Sequence, residues 1–333
     1  MKSDAYISRR TFLAATFASV VRARLAEPQA QVTRPVVSEA DCPLEVIAPI
    51  AADGYRGQAV LRKPPGKGPF PAFISVHGGI TTVPLSRLQS IARDLANPSR
   101  FLAAGYVVVI PTYRSRDVDL QSPVSLEDSL AVVDYVRKLP YVDAKSIAVY
   151  GCSGGGDLAL EIAARTRICA VVAEEPASVV MSGVFNNSSP KQGERYTPED
   201  SLPILEKPKK YYTPTFQKIL RAKIAKIDSP IFIMQGNIHR GELPINRFNA
   251  EVLIPELRAA KKVLEVRTYP DQAHCFCAAS GLPRSSGLSA PASWPREAYN
   301  ASRDAERFCR RYLVTKPKAI DSRLVTYVQV RTV

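Results

Sequence analysis

Histidine is scarce in this sequence, with three among 333 residues, at His77, His239 and His274. Any chemistry that needs an imidazole must use one of those three positions. No stretch reaches the roughly 18 unbroken apolar residues that a membrane-spanning helix requires, which excludes a stable anchor. No internal repeat is present, which argues against a solenoid or a propeller. The body of the chain lacks the polar, highly charged composition of a disordered segment. HCFC (274–277) has no second CxxC or HxxxH pair to complete a metal knuckle, so no metal is expected there. The six cysteines, Cys42, Cys152, Cys169, Cys275, Cys277 and Cys309, form no disulfide framework. Cys152 and Cys169 lie in or beside strand-like apolar runs and read as buried small hydrophobes.

What is present bounds the class. At 333 residues and 46% hydrophobic, the chain can build one large α/β domain or two small ones. The net charge of +14 raises the question of a polyanionic partner. Much of the excess, however, sits in short clusters such as KPKK (207–210), which read as solvated surface, and no nucleic acid is expected. Residues 1–23 hold Lys2, Arg9, Arg10 and Arg22 against Asp4, so their removal would leave +11. There, SRRTFLA (8–14) sets paired arginines before a short apolar stretch, TFLAATFASVV (11–21), with the proportions of a signal peptide. The pattern resembles a bacterial twin-arginine export signal. That resemblance implies passage through the twin-arginine translocase, removal of residues 1–23, and a periplasmic or secreted mature protein.

From residue 44 onward, strand-like runs alternate with helix-period runs, the pattern of a mostly parallel sheet with helices on both faces. LEVIAPI (44–50) and GQAVLRKP (57–64) read as an antiparallel pair. PAFISVHGG (71–79), YVVVIPTYR (106–114), SIAVYG (146–151), ICAVVAEEP (168–176), PIFIMQG (230–236) and LEVRTYP (264–270) read as further strands. The stretch 85–105 reads as one helix stopping at Gly105. The stretch 125–140 reads as a helix in which Ser125 and Asp128 resemble a capping box. The insert 183–228 is too long for a simple crossover and reads as a cap over the mouth of a site, with one helix near 216–227. The main domain is expected over 44–315, followed by a tail (316–333) in which 323–333 alternates like an edge strand.

Gly151-Cys152-Ser153-Gly154-Gly155 fits GxSxG with a strand before it and a helix after it, the context the motif requires. The glycines permit a strained turn that lifts the serine hydroxyl to the helix N-terminus, where free amides favour negative charge. A serine needs a base, and His274, in the loop after the strand 264–270, is in the right place. His77, in HGG (77–79), reads as a structural hydrogen-bonder. The glycine pair there lets backbone amides turn toward the serine. The amide of Gly154 with that of Gly79 or Ile80 would make an oxyanion hole.

HGG, GxSxG and YPDQAHCF in this order resemble the α/β-hydrolase fold, in particular its prolyl oligopeptidase and dienelactone hydrolase branch. The resemblance spans about residues 44 to 313 and includes 53–79. It implies hydrolysis of an ester or amide through an acyl-enzyme on Ser153, with neither metal nor organic cofactor. Members usually carry an aspartate shortly after the strand that ends in QG, but the loop GNIHRGELPIN (236–246) has none. Glu242 is the only carboxylate in it and is the first choice as triad acid, with Glu174 or Glu175 as the alternative. Cys277 with Cys309 is a conceivable bridge, since the helix near 296–312 should pack beside the histidine loop.

The leading reading is an exported serine esterase acting on a small-molecule or carbohydrate ester, the basic insert pointing to an acidic or uronate-bearing substrate. A small peptidase of the prolyl oligopeptidase type is the alternative, although no propeller domain precedes the catalytic segment. A non-catalytic exported binding protein that kept the fold is the third.

Overall fold

The computed structural model describes residues 33–94, 96–185, 195–236, 244–270, 272, 274–279 and 294–329. The expected signal segment 1–23, His239 and Glu242 lie outside the described residues. Ten strands are described: β1 (Thr33–Val37), β2 (Leu44–Ile47), β3 (Ala59–Arg62), β4 (Phe70–Val76), β5 (Val107–Pro111), β6 (Val142–Cys152), β7 (Ala170–Glu174), β8 (Ile231–Gly236), β9 (Leu264–Tyr269) and β10 (Val325–Gln329). Eight of them form one sheet in the order β2-β3-β5-β4-β6-β7-β8-β9. β3 is antiparallel to both β2 and β5, and every other pairing in the sheet is parallel.

The helices are α1 (Leu85–Asp94), α2 (Ala96–Ala103), α3 (Val124–Arg137), α4 (Gly154–Arg165), α5 (Ser178–Met181), α6 (Leu202–Glu206), α7 (Pro208–Tyr211), α8 (Pro214–Ala225), α9 (Ile245–Phe248), α10 (Ile254–Ala259), α11 (Phe276–Ala279) and α12 (Trp294–Tyr312). They cover both faces of the sheet, as the near-continuous apolar strands demand. Successive side chains of a strand point to opposite faces, and each face has its own core. Ile74, Val109, Val149, Ala173 and Ile233 share one core with α3, α4, α8 and α10. Phe73, Val108, Tyr150, Val172 and Phe232 share the other with α1, α2 and α12.

Several expectations are revised. The single helix expected over 85–105 is two, and the second begins with Pro98 in its first turn, where a missing amide hydrogen is tolerated. Gly105 stops it in the left-handed region, at φ +96°. Ser125 and Asp128 do not cap α3, whose N-cap residue Pro123 makes no side-chain cap. They hold Arg114 instead: Ser125 donates to its carbonyl at 2.7 Å, and Asp128 accepts from its amide and its guanidinium, each at 2.8 Å. The tail does form a strand, but β10 pairs antiparallel with β1 in a separate two-stranded sheet instead of extending the main one. The helix expected inside the insert is α8. Its Leu220 and Ile224, one turn apart, are fully buried in the core beside α4, so α8 belongs to the helical layer and not to a cap. Earlier in the insert, the amide of Tyr196 donates to the Asp117 carbonyl at 2.6 Å, and its ring meets Phe185 edge-on at 5.4 Å. That part of the insert therefore does reach the loops beyond the strand ends.

Candidate active site

The site is built where the central parallel strands end. β6 delivers Cys152, the chain turns sharply at Ser153, and α4 begins at Gly154. Ser153 has φ 55° and ψ −121°, a backbone state that a side-chain-bearing residue adopts only when its surroundings impose it. Those surroundings are specific. The Ser153 amide donates to the Glu174 carbonyl at 2.9 Å, and its carbonyl accepts from Asp157 at 3.1 Å and Ala177 at 2.9 Å. A Cβ on Gly151 would drive into the Gly155 carbonyl, and one on Gly154 into the Gly79 carbonyl, so no other residue fits at these points of the turn.

The HGG loop lies against this turn. A Cβ on Gly78 would sit 3.2 Å from the Cys152 carbonyl. Gly79 is in the left-handed region at φ +83°, and the Tyr113 hydroxyl donates to the carbonyl of His77 at 2.8 Å and to that of Gly79 at 3.3 Å. The Gly154 amide, at the first position of α4, has no acceptor within its helix. The backbone of Gly79 thus lies against that of Gly154, the residue after Ser153. The Ile80 carbonyl accepts from the Arg116 amide at 2.9 Å. The Arg116 guanidinium, only 2% exposed, reaches the Gly154 carbonyl and Asp157, each at 3.4 Å. One buried arginine therefore ties the Ile80 loop to the first turn of α4. Burial pushes the Asp157 carboxyl up to about 7.

His77 is structural, as expected. Its ring stacks on Tyr113 at 4.1 Å, and its Nδ1 donates to the Gly78 carbonyl at 2.8 Å. Burial lowers it from 6.5 to about 4, which keeps it neutral.

His274 meets a carboxylate, and that carboxylate is Glu175. Nδ1 donates to Glu175 Oε2 at 2.8 Å, and the Cys275 amide donates to the same oxygen at 2.8 Å. Oε1 accepts from the Gly236 amide at 2.8 Å and from Asn246 Nδ2 at 2.6 Å. Burial is the largest influence on Glu175 and acts to raise it, but the bonds to His274, Asn246 and Gly236 outweigh burial and hold it below its ordinary value. Glu175 follows β7 directly, in the left-handed region at φ 44°. This turns its side chain away from that of its neighbour. Glu174 faces the other core, where it accepts from the Tyr150 hydroxyl and from the Cys277 amide, and burial raises it to about 7. Of the carboxylates weighed from sequence that lie among the described residues, Glu175 reaches His274 and Glu174 does not. In the loop that lacks an aspartate, Asn246 supports Glu175 and also donates to the Gly236 carbonyl at 2.8 Å.

One feature was missed in the sequence. Cys152 and Cys275 form a disulfide with Cα atoms 5.7 Å apart, closing 123 residues of chain. Cys152 is therefore not an unbridged small hydrophobe, and the pairing of Cys277 with Cys309 is corrected, since neither is in a disulfide. Cys277 instead lies against α12, 3.5 Å from the Ala298 carbonyl. The signal was legible: a cysteine stands immediately before the serine and another immediately after the histidine, and these two residues have to meet. Behind the bridge, a cavity of about 280 Å³ is lined by Ser75, His77, Ile91, Asn97 and both half-cystines.

Comparison with known proteins bears on the fold. Residues 60–191 match the BD-FAE family. A 120-residue stretch is 34% identical to human acyl-coenzyme A thioesterase 6, covering 34% of this chain and a quarter (25%) of that protein. Similar solved structures include a thermostable esterase from Pseudomonas putida, with TM-score 0.55, 16% identity and coverage of 90% of this chain and 89% of that one. The esterase of Pyrobaculum calidifontis gives TM-score 0.53 at 20% identity, over 80% of this chain and 85% of its own. Carboxyl esterase 2 of Tuber melanosporum gives 0.53 at 18%, over 87% and 97%. At such identities the likeness establishes the fold: the chain has the α/β-hydrolase fold.

Proposed function

We propose that the protein is a serine hydrolase of carboxylic esters, with Ser153 as nucleophile, His274 as base and Glu175 as the acid that orients it. The observation that carries this reading is the hydrogen bond from His274 Nδ1 to Glu175, made by a histidine bridged through its neighbour to the residue before Ser153. With Nδ1 donating to a carboxylate, Nε2 carries the lone pair that a base needs. Ser153 Oγ attacks the ester carbonyl, His274 takes its proton, and the amides of Gly154 and of Gly79 or Ile80 receive the oxyanion. His274 then protonates the departing alcohol, and water hydrolyses the acyl-enzyme by the reverse proton path. The role first given to Glu242 passes to Glu175 in this reading.

Export through the twin-arginine translocase and a periplasmic or secreted location are part of the proposal. The disulfide supports them, since such bonds persist in oxidising compartments. Glu174 and Glu175 do not serve as a peptidase's handle for a substrate amino terminus here. One faces Tyr150 and the other His274, and this favours the esterase over the peptidase. The thioesterase match adds thioesters to the substrates worth offering. The test is labelling by a fluorophosphonate together with turnover of p-nitrophenyl acetate, an acyl thioester and an aminoacyl anilide. Ester turnover and labelling, both lost in Ser153→Ala, are expected. Anilide turnover exceeding that of the ester would favour the peptidase, and no turnover with no labelling would leave the binding-protein reading.

A further inference from the structure

The bridge lies between the two residues on which the proposed chemistry turns. Cys152 adjoins Ser153, Cys275 adjoins His274, and no other described cysteine is in a disulfide. Both half-cystines line the cavity of about 280 Å³, so a small reductant has a path to the sulfurs. The remaining thiols are poor competitors for that chemistry. Cys42, Cys277 and Cys309 are buried, and desolvation raises the partly exposed Cys169 to about 12. Around the bridge, the sulfurs of Cys152 and Cys275 and a ring nitrogen of His274 all lie within 4.8 Å of one another. Two thiolates on one zinc ion stand roughly 3.8 Å apart, given bonds of about 2.3 Å in a tetrahedron. Side-chain rotation over Cα atoms 5.7 Å apart can provide that separation.

We propose that the Cys152–Cys275 bridge is the lock of the active centre, and that opening it converts Cys152, Cys275 and His274 into a site for a zinc-class cation that withdraws His274 from the triad. The role of His274 rests on the serine-hydrolase reading; the metal site itself does not. A dithiol reductant opens the bridge. Its two thiols become a disulfide, and the two electrons and two protons they give up leave Cys152 and Cys275 as thiols. Zn²⁺ then displaces both thiol protons and takes two thiolates and the imidazole, with water in the fourth position. Glu175 assists, because a carboxylate on the far nitrogen of a ligating histidine fixes the ring and raises its basicity. With Nδ1 so held, coordination falls to Nε2, the atom the serine's proton needs. The same hydrogen bond thus serves the base in the oxidised protein and the ligand in the reduced one.

Cobalt is the probe, because its thiolate complexes absorb visibly whether or not the protein is an enzyme. Treating the full chain with dithiothreitol, then removing it, is expected to add two titratable thiols. One Co²⁺ per chain should then bind with a thiolate charge-transfer band that the oxidised protein does not show. Adding Zn²⁺ to the reduced protein should cut fluorophosphonate labelling at least tenfold, and a chelator should restore it. Cys152→Ser/Cys275→Ser should give no band in either state. Absence of new thiols, absence of the band after two thiols have appeared, or an equal band in the double variant would each overturn the site. A cobalt band without loss of labelling would overturn the claim on His274. If the oxidised protein does not label, the serine-hydrolase reading fails, and the band alone decides the metal site.

Discussion

Glu174 and Glu175 are adjacent in sequence and opposite in state. Glu175 collects four donors and stays ionised, whereas Glu174 is buried against Tyr150 and raised to about 7. Replacing the acid by its amide leaves the shape but offers His274 the wrong tautomer. Glu175→Gln is therefore expected to lower kcat by about 10³- to 10⁴-fold on p-nitrophenyl acetate. Glu174→Gln should leave kcat within about tenfold, since that carboxyl does not reach the imidazole. Equal losses from both would contradict the assignment. His77 gives a separate test through pH. Its folded value near 4 lies below the ordinary 6.5, so between these the unfolded chain binds the extra proton. The associated stability is fully present above 6.5 and is lost as pH falls toward 4, by about 3 kcal/mol at roughly 1.4 kcal/mol per unit. Denaturant unfolding of wild type and His77→Gln from pH 7 to pH 4 should show their difference shrinking by about that much. A constant difference would remove His77 from the account. The positions of Ser153 and His274 were legible in the sequence because each sits in a motif with a fixed place relative to strands. The carboxylate beside His274 was not: Glu242 was the first choice, and which of the neighbouring Glu174 and Glu175 reaches the imidazole rests on one left-handed residue, whose φ leaves no mark in composition.

At the scale of elements, Arg114 joins the end of β5 to α3 and to the turn before β3. It contacts Asp128 through both amide and guanidinium, reaches Asp53 at 2.6 Å and stacks over Tyr55 at 4.3 Å. Asp128 is nearly fully buried, so removing its partner leaves a charge in low dielectric. A double-mutant cycle of Arg114→Ala and Asp128→Ala is expected to give a coupling of about 1–3 kcal/mol in unfolding experiments. A value near zero would restore Asp128 to the helix-capping role that the sequence pattern offered. The pattern misled because Ser and Asp three residues apart at a helix start satisfy the same rule whether they bond their own amides or a neighbouring strand's arginine. The strands were legible for the opposite reason: buried parallel strands are nearly unbroken apolar runs, and burial on two faces allows little else.

At the scale of the whole molecule, the described residues begin in β1 and finish in β10, and Thr33 is the antiparallel partner of Gln329. Partners in such a ladder have Cα atoms about 5 Å apart, so a few glycine and serine residues would join them without disturbing either strand. A circular permutant that lacks residues 1–32 and 330–333, is linked there and is opened in the exposed turn at Gly66–Lys67 should keep the fold with a modest loss in melting temperature, read by thermal unfolding. Failure to fold would mean that β1 and β10 pair only weakly. For anyone attaching a protein trimmed to residues 33–329 to a surface or a reporter, both tethering points then lie on a single small ribbon, and one chemical handle can serve for either end.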